Sequence, residues 1–149
     1  MSGGLADRLR RVPRVHLDTN VLIYYLQDEP PYGAIVRPVF ELIASGSLTG
    51  LTSFISLFEI LVKPLRDGRP DLARQYATIL LNAQNFTLQP VERTVAEVGA
   101  DIRARYNVTT PDAIQLGTAL LGGAQVFLTN DKGLRQIVQP EVVLLDDYV

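Results

Sequence analysis

Five short runs of strand character, at residues 15–17, 49–52, 86–88, 126–128 and 142–145, are separated by stretches with helical spacing. Short strands that alternate with helices pair in parallel, because a crossover must return the chain to the start of the next strand. Sheets of this kind are covered on both faces, so their strands need no polar side. The pattern predicts an α/β chain, with a three-layer α/β/α domain around a mostly parallel central sheet. The 149 residues suffice for one such domain and are too few for two. No repeat, low-complexity tract or linker interrupts residues 14–149, which read as one domain. Residues 1–13 carry Gly3, Gly4 and the arginines Arg8, Arg10 and Arg11 ahead of Pro13, and are expected to be a flexible N-terminal lead-in.

Helices are predicted over 21–26, 56–65 and 72–81, the last two joined through Asp67-Gly68-Arg69-Pro70. Ile35, Val39, Leu42 and Ile43 recur at helical spacing until Gly46 stops them. Val95, Val98, Ile102 and Tyr106 mark one face of a further helix. Thr110-Pro111 opens another, as a cap followed by proline in the first turn, and Gly122-Gly123 closes it. A short helix is expected over 132–138.

Composition removes several chemistries. There is no cysteine, so thiolate nucleophiles, disulfides and sulfur-ligated zinc are excluded. The single histidine, His16, falls inside the first strand and is expected to be packed there, not to act as a base. No phosphate-binding P-loop and no Gly-x-Ser-x-Gly elbow is present. The net charge of −2 offers no global attraction to nucleic acid, although the basic set is 12 Arg against 2 Lys. Arginine is the better phosphate clamp because its planar fork donates two parallel hydrogen bonds. No run approaches the roughly 18 apolar residues needed to span a bilayer, so a cytoplasmic protein without a membrane partner is expected.

In open α/β sheets, ligands bind beyond the carboxyl ends of the strands. Asp18-Thr19-Asn20 follows the first strand, Ser56 to Glu59 follows the second, and Thr129-Asn130-Asp131 follows the fourth. Asp112 opens the helix before the fourth strand. Each acid has an ordinary explanation. Ser56 and Glu59 match a capping box, Asp112 suits a helix dipole, and Asp18 and Asp131 suit turns or caps. What these leave unexplained is the placing of all four at one edge. Crowded carboxylates take up protons or a cation, and an all-oxygen set suits Mg²⁺ or Mn²⁺. With no thiol and no second imidazole, water activated by the metal is the natural nucleophile, and a phosphodiester the natural substrate.

These motifs resemble those of PIN-domain ribonucleases. Leu17-Asp18-Thr19-Asn20-Val21-Leu22-Ile23 is similar to the opening strand and turn of that family. Ser56-Leu57-Phe58-Glu59-Ile60-Leu61 is similar to its second acidic motif, Thr110-Pro111-Asp112-Ala113-Ile114 to its third, and Leu128-Thr129-Asn130-Asp131-Lys132 to its fourth. In length and compactness the chain looks most like the VapC toxins of toxin–antitoxin pairs. The resemblance implies a Mg²⁺- or Mn²⁺-dependent endoribonuclease with Asp18, Glu59, Asp112 and Asp131 as catalytic residues. Asp18 and Asp112 would be direct metal ligands and Asp131 would complete the site. Glu59 would act through water or position the nucleophile. Asn20, Thr129 and Asn130 would orient the carboxylates. Implied partners are RNA, an antitoxin covering the acidic pocket, and a second copy in a homodimer.

Two departures, Gln115 and Gly117 where the family commonly has small alanines, read as packing variation. Leu134 stands where an aromatic residue often follows the fourth motif. The acidic balance requires a local path for RNA, for which Arg66, Arg69, Arg74, Lys132 and Arg135 are candidates, with a solvated helix face as the alternative. Two other functions fit parts of the pattern. A phosphatase with an aspartyl nucleophile would need an acid at Asn20, and a non-catalytic RNA- or protein-binding module would not need four acids. The apolar second-motif helix (Leu57, Phe58, Ile60, Leu61 and Leu65) is read as core, with an oligomer or antitoxin groove as the alternative.

Overall fold

The computed structural model describes residues 4–149; Met1 to Gly3 lie outside the described residues. Strands β1 (Arg14–Leu17), β2 (Thr49–Ser53), β3 (Phe86–Gln89), β4 (Val126–Thr129) and β5 (Glu141–Leu144) form one sheet in the order β3-β2-β1-β4-β5. Every pairing is parallel, with His16 opposite Leu51 on one side and Phe127 on the other. The three-layer expectation holds.

Alternation along β1 divides the core. Val15 and Leu17 face helices α1 (Leu5–Leu9), α2 (Thr19–Gln27), α3 (Tyr32–Ala44), α4 (Phe54–Arg66) and α5 (Pro70–Leu81). That cluster includes Leu22, Val36, Val39, Ile60 and Leu80, all buried. On the opposite face, Leu51 and Phe127 pack against α6 (Arg93–Tyr106) and α7 (Thr110–Leu121) through Ile102, Ala113, Leu116 and Ala119.

Residues 4–13 depart from the expected flexible lead-in. Leu5 and Leu9, one helical turn apart, are buried in the first cluster together with Val12. The outer face is fastened by an ion pair from Arg8 Nη2 to Glu141 Oε1 at 2.6 Å. Three apolar side chains at helical spacing outweigh the neighbouring glycine and arginines. Glycine at 117 also has a structural reason. A Cβ there would lie 3.2 Å from the backbone N of Gly99, so α6 and α7 meet backbone to backbone. The segment expected to be a helix over 132–138 is a 3₁₀ turn, Lys132–Gln136, and a second follows β5 at Leu145–Tyr148.

The order of the sheet decides where a ligand can sit. From β1 the chain moves outward to β2 and β3, then returns to the other side of β1 to lay down β4 and β5. Beyond the carboxyl ends of β1 and β4 the connections diverge to opposite faces. A crevice at such a switch point is the usual binding place in this fold class.

Candidate active site

Asp18 stands at the switch point. It follows β1 directly and caps α2, with Oδ1 accepting from the Thr19 amide at 2.8 Å. Its Oδ2 accepts from the Thr129 hydroxyl at 2.7 Å, across from the end of β4. The residue is only 6% exposed. Burial pushes its carboxyl up to about 6; the two hydrogen bonds oppose the shift, and the charges of Asp112 and Glu59 add to it.

Asp112 lies in the first turn of α7, behind a cap in which Thr109 Oγ1 accepts from the Asp112 amide at 3.3 Å. The cap is one residue earlier than Thr110. Burial raises the Asp112 carboxyl above its ordinary range, with the Asp131 and Glu59 charges acting in the same direction. Asp131 caps the 3₁₀ turn by accepting from the Gly133 amide at 2.9 Å. Glu59 is exposed on α4 and accepts from Thr19 Oγ1 at 2.6 Å. Asp18 and Asp112 each feel two other acids of the set, so the structure brings all four to one rim.

The cap explanations divide. Asp18 and Asp131 do cap their helical segments. The capping box does not form, because α4 begins at Phe54 and Ser53 is its cap, accepting from the Ile55 amide at 3.0 Å. Ser56 is therefore inside the helix, and Glu59 is left to face Thr19.

Thr129 organises the rim. Its one hydroxyl hydrogen goes to Asp18, while its oxygen accepts from Asn20 Nδ2 at 3.3 Å and from the Asp131 amide at 3.1 Å. Asn20 Oδ1 accepts from the Asn130 amide at 3.1 Å, and Asn130 Oδ1 from the Asp146 amide at 3.0 Å. The loop after β4 is thereby tied both to α2 and to the C-terminal 3₁₀ turn.

The donor set fits a hard divalent cation. It is all oxygen, and burial raises two of its carboxyls, Asp18 and Asp112, above the ordinary carboxylate range, with the neighbouring acid charges adding to the shift that a cation would relieve. The acids are neighbours without being a closed ligand set. Among the described residues no three His, Cys, Asp or Glu side chains converge closely enough to hold one ion. The expected trio of Asp18, Asp112 and Asp131 is therefore not preassembled as a three-ligand site.

The basic candidates separate into two groups. Arg69 pairs with Asp71, Lys132 with Asp146 and Arg135 with Asp147. Arg66 on α4 and Arg74 on α5 are exposed and form no ion pair among the described residues.

Beneath the acids lies a buried polar network that composition and spacing did not single out. His16 is fully buried and stacks on Phe127 with ring centroids 4.8 Å apart. As expected, it is a packed residue. Burial holds its pKa down at about 4, so the ring is neutral at ordinary pH. Its Nε2 meets Gln115 Oε1 at 2.7 Å, and the Gln115 amide donates to Ser56 Oγ at 2.7 Å and Thr19 Oγ1 at 3.1 Å. Gln115 is therefore no mere packing variant. The sequence offers only a hint of it, a large polar residue one turn after Asp112 on a mostly apolar helix, without its partners.

No curated protein matches this chain. Solved structures do match in fold. A toxin–antitoxin complex from Klebsiella pneumoniae superimposes with TM-score 0.62 at 22% identity, covering 87% of this chain and 99% of that one. DNA-bound VapBC from Salmonella typhimurium gives TM-score 0.70 at 20% identity, over 89% and 98% of the two chains. VapBC2 from Rickettsia felis, bound to a promoter DNA fragment, gives 0.69 at 16% identity over 88% and 98%. The PIN domain family matches residues 15–139, from the first strand of the sheet to the segment before the last. With its four acids gathered where β1 and β4 part, this chain belongs to the PIN domain family.

Proposed function

We propose that the chain is a divalent-metal-dependent endoribonuclease and the toxin of a toxin–antitoxin pair. The observation that carries the reading is Asp18. A carboxylate 6% exposed, held up at about 6 and set beside two other acids, Asp112 and Glu59, is costly to a fold that has no cation to bind there. In this reading Asp18 and Asp112 would hold the metal and Asp131 would complete the set. When bound, Mg²⁺ or Mn²⁺ lowers the pKa of a coordinated water and holds a phosphodiester oxygen.

The protein's own groups do the rest. Thr129 and the Thr19 amide fix both oxygens of Asp18. Asn20 and Asn130 hold the loop that carries Asp131. Glu59, exposed at the mouth, orients the attacking water and takes its proton. One water adds across one phosphorus–oxygen bond, leaving a phosphate end and a hydroxyl end. Arg66 and Arg74 supply the first contacts to the RNA backbone, with Lys132, Arg69 and Arg135 available when their surface pairs open. Such pairs are worth little in water.

The toxin assignment rests on the fold neighbours, which are themselves toxin–antitoxin complexes. The antitoxin would cover the acidic crevice. The exposed apolar residues Phe54, Phe58 and Leu65 on α4 suit a homodimer or antitoxin contact. No helix among the described residues is long and apolar enough to cross a membrane. The RNA substrate of this reading is what puts the proposed site of action in the cytoplasm.

Incubation of the purified chain with end-labelled RNA tests this reading. Cleavage with Mn²⁺ or Mg²⁺, lost with chelator and in Asp112→Asn, is the expected result. Intact RNA under every metal condition, with RNA still bound, would instead mark a non-catalytic binding module.

A further inference from the structure

Gln115 touches three elements of the site from below. Its carbonyl accepts from His16 Nε2, so the amide nitrogen must face the opposite way, toward Thr19 and Ser56. The hydrogens can then be assigned one by one. Thr52 donates to the Leu17 carbonyl at 2.7 Å, so the 2.7 Å contact between Thr52 and Ser56 is a bond donated by Ser56. Both hydroxyl oxygens of Ser56 and Thr19 receive the Gln115 amide. Thr19 has one hydrogen and two acceptors within reach, and the shorter contact, Glu59 Oε1 at 2.6 Å against Ser56 Oγ at 3.0 Å, takes it.

His16 locks the arrangement. With the Ser56 hydrogen spent on Thr52, the Gln115 group facing Ser56 must be the NH₂, so Oε1 faces His16, whose Nε2 carries the hydrogen, and the ring is clamped in place by Phe127. A donor at 115 is therefore built into the core, and its only outlet to the surface runs through Thr19.

We propose that Gln115 is a positioning residue for Glu59, acting through the Thr19 hydroxyl and held in one orientation by His16. The amide directs the Thr19 hydrogen outward, and that hydrogen holds an otherwise exposed glutamate over the crevice. Without the amide, the Thr19 hydroxyl is free to donate to Ser56 Oγ at 3.0 Å instead, and Glu59 loses its restraint.

The proposal rests on the nuclease reading only for its kinetic arm. Gln115→Met keeps the side-chain length and removes the amide; Thr19→Val breaks the same chain at its other end and covers the case in which Gln115→Met does not fold. By NMR, three-bond couplings about the Glu59 χ angles report one rotamer in the wild type and averaging in both variants. In RNA cleavage, the account expects kcat to fall by about 10-fold or more, the usual effect of losing a group that orients a site residue, with KM unchanged. In a Glu59→Gln background, Gln115→Met costs less than about twofold further, because coupled residues are not additive. A single Glu59 rotamer in the folded variants, or kinetic losses that multiply in the double variant, would overturn the proposal. A wild type that cleaves no RNA would overturn the nuclease reading, and the couplings alone would then decide the role of Gln115.

Discussion

The Thr129 hydroxyl donates to Asp18 Oδ2 at 2.7 Å, joining the ends of two neighbouring parallel strands across the point where their connections part. The bond holds the most buried acid of the crevice in place. The same hydroxyl oxygen accepts from Asn20 and from the Asp131 amide. One side chain thus sets the position of two acids.

Replacing it by valine keeps the shape and removes all three bonds. Thr129→Val is expected to cost roughly 1–3 kcal/mol, the range for leaving a buried polar group unpaired. Urea unfolding measures this. The Asp18 carboxyl should rise further above 6, because the Thr129 bond is one of the interactions that hold it down.

The two buried titrating groups have opposite effects on stability. Asp18 is raised from 3.8 to about 6, so the native state binds more protons, and stability is lost as pH rises through that window. His16 is lowered from 6.5 to about 4, so the unfolded state binds more protons, and stability is lost as pH falls from 6.5 toward 4. Between pH 4 and 6.5 the contributions of these two groups therefore run in opposite directions and offset one another. Asp18→Asn removes one side of the balance. At pH 7 it should be more stable than wild type by up to about 3 kcal/mol, the equivalent of the lost shift. The advantage should vanish by pH 4. Unfolding curves at pH 4, 5, 6 and 7 test the sign.

Leu9 is fully buried at the end of α1. Leu9→Ala is expected to destabilise the whole domain by roughly 2–5 kcal/mol, the range for emptying a buried leucine site. A loss near zero in thermal or urea unfolding would return residues 4–13 to the status of a tail.

Gly117→Ala places a methyl 3.2 Å from Gly99 N and 3.4 Å from Val95 O. Backbone cannot step aside as a side chain can, so α6 and α7 must separate, at roughly 1–3 kcal/mol. The same substitution at Gly123, where nothing lies within 4 Å, is a control for strain alone, since that residue has φ +73°.

Much of this was legible in the chain. The alternation of strands and helices announces a parallel sheet, and the acids that follow β1 and β4 lie where such sheets bind ligands. The legible features are local ones. Gln115 was not legible because its meaning depends on His16 and Ser56, which meet it only after three elements pack. Glu59 was readable as a cap because Ser56-x-x-Glu59 satisfies the local pattern; the true start of α4 at Ser53 depends on where β2 ends. Residues 4–13 looked loose because of a glycine and three arginines; Arg8 on α1 and Arg10 and Arg11 just after it lie outside, while Leu5 and Leu9 are buried. Asp131 could be read only as a further acid of the shared rim; that its carboxylate is turned to the Gly133 amide depends on the 3₁₀ turn that follows it.

The central claim is that the acids at the β1–β4 switch point bind one divalent-cation site. Titration calorimetry with Mn²⁺, on wild type beside Asp18→Asn and Asp112→Asn, tests it most directly. The account predicts binding to the wild type that is lost in both variants, while both remain folded. No binding to the wild type at millimolar Mn²⁺ or Mg²⁺, or binding unchanged in both variants, would contradict it.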